Sequence, residues 1–128
     1  MVLRVLVVDD DAALLRMVRL SLQQSGFEVS TATNGLEALD RLRLDVPNVV
    51  VLDLEMPVMD GRSFYHEMRA NGCDTPVLIL SAHDAKRGQR ELNAEAFMNK
   101  PFDPGDLADV LTTLAGHGLK SKAHTADG

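Results

Sequence analysis

The sequence predicts a single α/β domain with a parallel β-sheet at its centre and helices on both faces of the sheet. Short apolar runs alternate five times with segments that show the three- and four-residue spacing of amphipathic helices. One of these runs, Val49–Leu52, has no polar position, which is typical of a strand buried on both sides. The length of 128 residues gives room for one hydrophobic core.

Composition narrows the class of protein before any motif is considered. The formal net charge of −6 argues against nucleic-acid binding by this domain and fits a protein that holds a cation. The single cysteine, Cys73, excludes an intrachain disulfide and fits a reducing, cytoplasmic compartment. No apolar run approaches the roughly 18 residues of a membrane span. The N-terminal pattern is that of a strand and not of a signal peptide.

The first strand and helix follow from the N-terminal pattern. The run Val2–Val8 is rich in valine and leucine and ends in three consecutive acids. Apolar residues then recur at helical spacing over Ala12–Gln24. Asp11 is a suitable N-cap for this helix, and the pair Ser25-Gly26 predicts its end.

The second strand and helix lead to the central strand. Alternating character over Phe27–Ala32 predicts a short strand. Asn34, with Glu37 three residues later, predicts a capping box at the start of a helix that continues to about Leu44. Pro47 stops this helix just before the buried central run, which ends at an acid.

Three helices and two strands are predicted in the C-terminal half. In order, they are a helix over Ser63–Ala70, a strand over Val77–Leu80, a helix over Asp84–Leu92, a strand over Ala94–Asn99 and a last helix that begins near Asp103. Asn93 is a plausible left-handed cap for the fourth helix.

Each predicted strand ends in a polar residue. These residues are Asp9 and Asp10, Thr33, Asp53, Ser81 and Lys100. Because parallel strands end at one edge of the sheet, where open α/β sheets bind ligands, we expect these side chains to converge. Three carboxylates around one lysine require a further cation, and Mg²⁺ is the predicted ion. A carboxylate beside Mg²⁺, an ammonium group and a hydroxyl can carry out phosphoryl transfer onto Asp53.

These residues lie in motifs that resemble the receiver domain of bacterial two-component response regulators. The matching pieces are Asp9-Asp10 after VLRVLVV, the stretch LDLEMPVMDG around Asp53, Ser81-Ala82, and Lys100-Pro101-Phe102. The resemblance implies a flavodoxin-like, doubly wound five-stranded parallel sheet of order 2-1-3-4-5 with five helices. It covers residues 1–115 as one receiver domain. Residues 116–128 are then expected to be a disordered tail or the start of a linker.

The resemblance also implies a role for each residue of the acidic site. Asp53 is similar to the family's phospho-acceptor, which also binds the metal. Asp10 is similar to a direct Mg²⁺ ligand, and Asp9 to a ligand that acts through water. The backbone carbonyl of Glu55 is implied as a further metal ligand. Lys100 is implied as a bridge between the phosphoryl group and an acid.

Two residues are implied in a conformational switch. Ser81 would supply the switch hydroxyl, although threonine is commoner in the family, and Phe97 would be the aromatic residue that turns inward, without a tyrosine hydroxyl. The Lys100-Pro101 peptide is often cis in the family. The segment between Ser81 and Lys100 is about one helical turn shorter than in typical receivers, which predicts a shortened or displaced fourth helix.

The resemblance implies a signalling switch and not an enzyme that turns over a metabolite. Asp53 would take a phosphoryl group from a sensor histidine kinase or a histidine phosphotransfer protein, and the change would be passed to an unknown downstream protein. Two alternatives remain open. Asp9-x-Asp11 resembles the nucleophile motif of haloacid-dehalogenase-like phosphatases, and a pseudo-receiver would act only as an interaction module. The identity of the phosphorylated aspartate separates these interpretations.

Overall fold

The computed structural model describes residues 2–127, and it describes the side chains of residues 2–116. Five strands lie in this range, at Arg4–Val8 (β1), Glu28–Ala32 (β2), Val49–Asp53 (β3), Val77–Ser81 (β4) and Ala96–Asn99 (β5). Five helices alternate with them, at Ala12–Gln24 (α1), Gly35–Leu44 (α2), Gly61–Ala70 (α3), Ala85–Leu92 (α4) and Pro104–Asp127 (α5). The predicted alternation of strands and helices is therefore confirmed.

The strands form one parallel sheet in the order β2-β1-β3-β4-β5, which confirms the predicted flavodoxin-like topology. Val8 pairs with Leu52, and Ser81 pairs with Asn99. The four strands β1, β3, β4 and β5 therefore end close to one another, at what we call the carboxyl edge. The chain runs from β1 outward to β2 and then crosses back to β3 on the other side of β1. β1 and β3 therefore flank the point where the strand order reverses.

The sheet divides the hydrophobic core into two apolar clusters, one on each face. Strand residues on one face pack against α1 and α5, and they are Val5, Val7, Val49, Val51, Leu78 and Leu80. Strand residues on the other face pack against α2, α3 and α4, and they are Leu6, Val8, Val50, Leu52, Val77 and Ile79. Every residue of β3 and β4 is buried, because helices cover both faces. This burial explains why these two strands have an almost uninterrupted apolar sequence.

Some element boundaries differ from those predicted, and local hydrogen bonds explain two of the differences. α3 begins two residues earlier than Ser63, because the Asp60 side chain caps it by accepting from the Ser63 N–H at 2.8 Å. β5 begins at Ala96 and not at Ala94, because both backbone groups of Ala94 bond to Gln89 at the end of α4. β1 begins at Arg4, two residues after the predicted start.

The fourth helix is short, with eight residues. Both residues that flank it have left-handed backbone conformation, Asp84 with φ of 47° and Asn93 with φ of 59°. The predicted left-handed cap at Asn93 is therefore confirmed. The helix lies between β4 and β5, with Ala85 and Leu92 buried. Its shortening relative to typical receivers stays a prediction.

α5 carries the end of the described chain. Its residues Leu107, Leu111 and Ala115 are buried against the sheet. The predicted tail at residues 116–128 falls mainly on residues 117–128, whose side chains lie outside the described part of the chain, so the domain boundary stays a prediction. Within residues 2–127, each helix is too short or too polar to cross a membrane.

Candidate functional site

Three carboxylates meet at the carboxyl edge, as the sequence predicted. Asp9 and Asp10 follow β1, and Asp53 ends β3, which is the neighbouring strand. One oxygen from each carboxylate lies within 4.8 Å of the other two. Asp9 and Asp53 are buried, whereas Asp10 is exposed to solvent. The cluster therefore has a buried floor and one side that ligands can approach.

Asp9 is the fully buried member of the cluster. Its Oδ1 accepts a hydrogen bond from the Asp11 N–H at 2.9 Å. Its Oδ2 lies 2.7 Å from the Lys100 ammonium and forms an ion pair with it. Each oxygen of this buried carboxylate thus contacts one donor group, the Asp11 N–H or the Lys100 ammonium.

Asp53 is held in a polar but largely buried position, with 4% of its surface exposed. Its Oδ1 accepts a long hydrogen bond from the Glu55 N–H at 3.4 Å, and its Oδ2 lies 3.7 Å from the Lys100 ammonium. Burial, followed by the negative charge of Asp9, raises the pKa of Asp53 from 3.8 to about 6, although Lys100 opposes the shift. The carboxylate therefore lacks enough positive charge in its surroundings.

Lys100 bridges two of the three acids. It follows β5, and its side chain is 20% exposed. Burial alone lowers the pKa of this ammonium group, but contact with the Asp9 carboxylate and the charge of Asp53 outweigh burial, so that the pKa is raised. Lys100 is therefore charged at neutral pH, and one positive charge faces three negative charges.

The donor set fits a hard divalent cation. Carboxylate oxygens are the ligands that Mg²⁺ prefers, and this ion keeps several waters when it binds to proteins. Asp9 and Asp53 share the one ammonium of Lys100, and the pKa of Asp53 is raised, so both observations indicate missing positive charge at this position. The acid cluster can thus hold a metal ion.

Ser81 lies at the end of β4, beside the cluster, and is buried. Its hydroxyl donates to the His83 carbonyl at 3.0 Å and accepts from the His83 N–H at 3.1 Å. The backbone N–H of Lys100 donates to the Ser81 carbonyl at 2.9 Å, which joins β4 to β5 just before the lysine side chain. The peptide bond between Lys100 and Pro101 is cis, as the resemblance implied.

Three other residues that the sequence singled out lie outside the set of three acids. Phe97 is on β5 and is 38% exposed, so its ring faces outward here. The side chain of Glu55 is exposed, and only its backbone N–H contacts Asp53. Thr33, at the end of the outer strand β2, donates its N–H to Glu37 at 3.1 Å and serves the capping box of α2.

Two residues at the site were not recognised from the sequence. A Cβ atom at Gly61 would overlap the Asp53 carbonyl oxygen, so only glycine lets the chain fold back at this point. The Asp60-Gly61 pair is a turn signal in the sequence, but it does not reveal this close approach. Asn99 accepts a hydrogen bond from the Ala85 N–H at 3.1 Å and so connects β5 to the start of α4. No sequence signal pointed to that contact.

Asp11 has a structural role. Its side chain accepts from the N–H groups of Ala13 and Leu14 at 3.0 Å and 3.1 Å, as an N-cap does. The second acid of the Asp9-x-Asp11 motif is thus engaged at the start of α1. Asp10, which lies between them, joins the cluster in its place.

Comparison with known proteins agrees with this geometry. The sequence model of the response regulator receiver domain matches residues 5–112. The transcriptional regulatory protein PrrA of Mycobacterium tuberculosis is 44% identical over 126 residues, which are 96% of this chain and 52% of PrrA. The response regulator MprA of Mycobacterium avium is 39% identical over 115 residues, 88% of this chain and 50% of MprA. The chain spans about half the length of these curated relatives.

Solved structures show the same fold. The receiver domain of the Francisella response regulator 1452 superposes with a TM-score of 0.83 at 30% identity, over 90% of this chain and 98% of that one. The chemotaxis protein CheY4 of Vibrio cholerae gives a TM-score of 0.81 at 33% identity, over 89% and 99% of the two chains. With its acid cluster and its sheet order, this chain belongs to the response regulator receiver domains, which are signalling switches of two-component systems and not metabolic enzymes.

Proposed function

We propose that Asp53 is the phospho-acceptor of this receiver and that the phosphoryl donor is a phosphohistidine on a sensor histidine kinase or a histidine phosphotransfer protein. The observation that carries the proposal is the convergence of Asp9, Asp10 and Asp53 within 4.8 Å, with the Lys100 ammonium 3.7 Å from Asp53. Asp53 is the central member, since it lies on β3 in the middle of the sheet.

The transfer exchanges one bond to phosphorus for another. A carboxylate oxygen of Asp53 attacks the phosphorus atom, and the phosphorus–nitrogen bond of the donor breaks, with its electron pair remaining on the imidazole. Lys100 neutralises negative charge on the phosphoryl oxygens and afterwards pairs with the product. Burial of Asp53 keeps water away from the acyl phosphate, because little of the side chain is exposed.

The metal ion of the proposal is Mg²⁺. When bound, it supplies further positive charge against the phosphoryl oxygens. Asp10 would bind it directly, since its carboxylate is on the exposed side of the cluster, and Asp9 through water. Asp53 and the backbone carbonyl of Glu55 complete the proposed ligands from the protein.

Phosphorylation of Asp53 would then shift an equilibrium between two conformations. The Ser81 hydroxyl would leave His83 and bind a phosphoryl oxygen, and the outward-facing Phe97 would turn inward. A downstream protein would distinguish the two conformations. We place the protein in the cytoplasm, where a receiver meets its kinase and where its single cysteine stays reduced.

Incubation with acetyl phosphate and Mg²⁺, followed by intact-mass spectrometry, tests the acceptor. We expect one phosphoryl adduct on the wild type and none on Asp53→Ala. An adduct that survives in Asp53→Ala would assign the chemistry to another acid, as a haloacid-dehalogenase-like mechanism through Asp9 requires. No adduct on the folded wild-type protein, with a second receiver labelled in parallel as the control, would indicate a pseudo-receiver.

A further inference from the structure

The loop between β4 and α4, residues 82–84, is held at both ends. At its first end, the Ser81 hydroxyl is engaged twice by His83, as donor to the carbonyl and as acceptor from the N–H. A serine hydroxyl has one proton to donate. Ser81 cannot donate to a phosphoryl oxygen on Asp53 while that proton is bound to the His83 carbonyl. The hydrogen bonds between Ser81 and His83 must therefore open when Ser81 takes part in the switch.

At its second end, the loop is held by Asn99. The first N–H groups of a helix have no partner within the helix and need acceptors from elsewhere. In α4, Asp84 accepts from the Arg87 N–H at 3.2 Å, and Asn99 accepts from the Ala85 N–H at 3.1 Å. Asp84 also has a positive φ, which is unfavourable for a residue other than glycine. The external bond from Asn99 thus helps to hold a loop whose own backbone is strained.

Asn99 is placed to couple this loop to the acid cluster. It pairs with Ser81 across the sheet, and it directly precedes Lys100, whose N–H donates to the Ser81 carbonyl. The ammonium group of Lys100 in turn pairs with Asp9 and Asp53. The same short segment of β5 therefore contacts the acids, the switch serine and the start of α4.

We propose that Asn99 is a positioning residue that stabilises the loop conformation in which Ser81 is bonded to His83, and that it thereby opposes occupation of the phosphoryl site. The inference rests on the proposed function, because it needs Ser81 to move when Asp53 is modified. Removal of the Asn99 amide weakens only the unmodified loop conformation. The phosphorylated form, in which this loop conformation is given up, becomes relatively more favourable.

The test is a titration of the full chain with beryllofluoride in the presence of Mg²⁺, followed by NMR. For Asn99→Ala we expect the apparent dissociation constant to fall about two- to tenfold, which is the effect of losing one neutral hydrogen bond from the unbound state. Asn99→Asp keeps an acceptor for the Ala85 N–H, so its binding should be no tighter than that of the wild type. In the wild type, beryllofluoride should accelerate hydrogen exchange of the Ala85 amide.

Asn48→Ala is the matched control. Asn48 also accepts a backbone hydrogen bond, from the Arg4 N–H at 2.7 Å, but it lies at the opposite edge of the sheet. The affinity of the Asn48→Ala variant for beryllofluoride should equal that of the wild type. Unchanged or weaker binding by Asn99→Ala, equal tightening in Asn48→Ala, or a protected Ala85 amide in the bound wild type would overturn the role of Asn99. A wild type that fails to bind beryllofluoride would instead overturn the proposed function.

Discussion

Burial of the Asp53 carboxylate lowers the stability of the folded protein when no cation is bound. Its pKa is raised from 3.8 to about 6, mainly by burial and then by the charge of Asp9. Between these two pH values the folded state holds a proton that the unfolded state has released. The free energy of unfolding therefore falls as the pH rises through this window. A shift of about two pH units corresponds to about 3 kcal/mol.

Asp53→Asn should remove this cost, because the amide stays neutral at every pH. In Mg²⁺-free buffer we expect the variant to equal the wild type in stability near pH 4 and to exceed it by about 1 to 3 kcal/mol at pH 7. Urea denaturation over this pH range measures the difference. Asp74→Asn, which changes an exposed acid, is the control. A difference for Asp53→Asn that stays constant from pH 4 to pH 7 would contradict the argument.

Val58 shows strain at a single residue of the loop between β3 and α3. It has a φ of 68°, in the left-handed region that β-branched residues avoid, and it is 76% exposed. Asparagine tolerates this conformation, so Val58→Asn should stabilise the fold by about 0.5 to 1 kcal/mol. Chemical denaturation of the variant checks the gain. Val46→Asn, at an exposed valine outside the positive-φ residues, should bring none.

At the scale of elements, one arginine links the end of α3 to neighbouring loops, in addition to the apolar packing of this helix. The Arg69 guanidinium donates to the carbonyl oxygens of Cys73 and Thr75 at 3.0 Å and 2.8 Å, and it pairs with Glu95 at 3.2 Å. It also lies 4.7 Å from the centre of the Tyr65 ring. Glu95 in turn accepts from the Val77 N–H at the start of β4. A single side chain thus connects the end of α3 to the loops that lead into β4 and β5.

Arg69→Ala should destabilise the domain by about 1 to 3 kcal/mol, because it leaves half-buried carbonyls without donors. Arg69→Lys should recover only part of this loss, since an ammonium group cannot reproduce the planar set of donors. Arg43→Ala is the matched control, because the ion pair of Arg43 with Asp40 is exposed on both sides and is worth little. Equal decreases in the free energy of unfolding for Arg69→Ala and Arg43→Ala, measured by urea denaturation, would show that the contacts of Arg69 do not stabilise the domain.

At the scale of the whole molecule, much of the architecture could be predicted because it depends on patterns that are local in sequence. Strand–helix alternation and fully apolar runs led to the parallel sheet, and parallel strands bring their ends together at one edge. The same rule placed Asp9, Asp10, Asp53, Ser81 and Lys100 together. Thr33 ends the outer strand β2, and its N–H bonds to Glu37 in the capping box of α2.

The contacts that the sequence did not reveal depend on distances between elements that are separate in the chain. The Asp60-Gly61 pair signals a turn, and only the folded structure shows that Gly61 approaches the Asp53 backbone. Asn99 and Ala85 are 14 positions apart, and their hydrogen bond requires the length and placement of α4. The hydrogen bonds between Gln89 and Ala94 likewise delay the start of β5 to Ala96. Such details follow from tertiary packing, which residue spacing does not encode.

The excess of negative charge at one edge should also link metal binding to the stability of the whole fold. A ligand that binds only the folded state adds RT ln(1 + [L]/Kd), or about 2.7 kcal/mol at a concentration of 100 Kd. We therefore expect MgCl₂ to raise the free energy of unfolding by up to this amount, compared with NaCl at equal ionic strength. Asp10→Asn should lose most of the response, since Asp10 belongs to the acid cluster. Asp11→Asn should keep the response, because an asparagine oxygen still caps α1. Equal responses of the two variants in urea denaturation would show that Mg²⁺ acts on the general negative charge and not at the cluster.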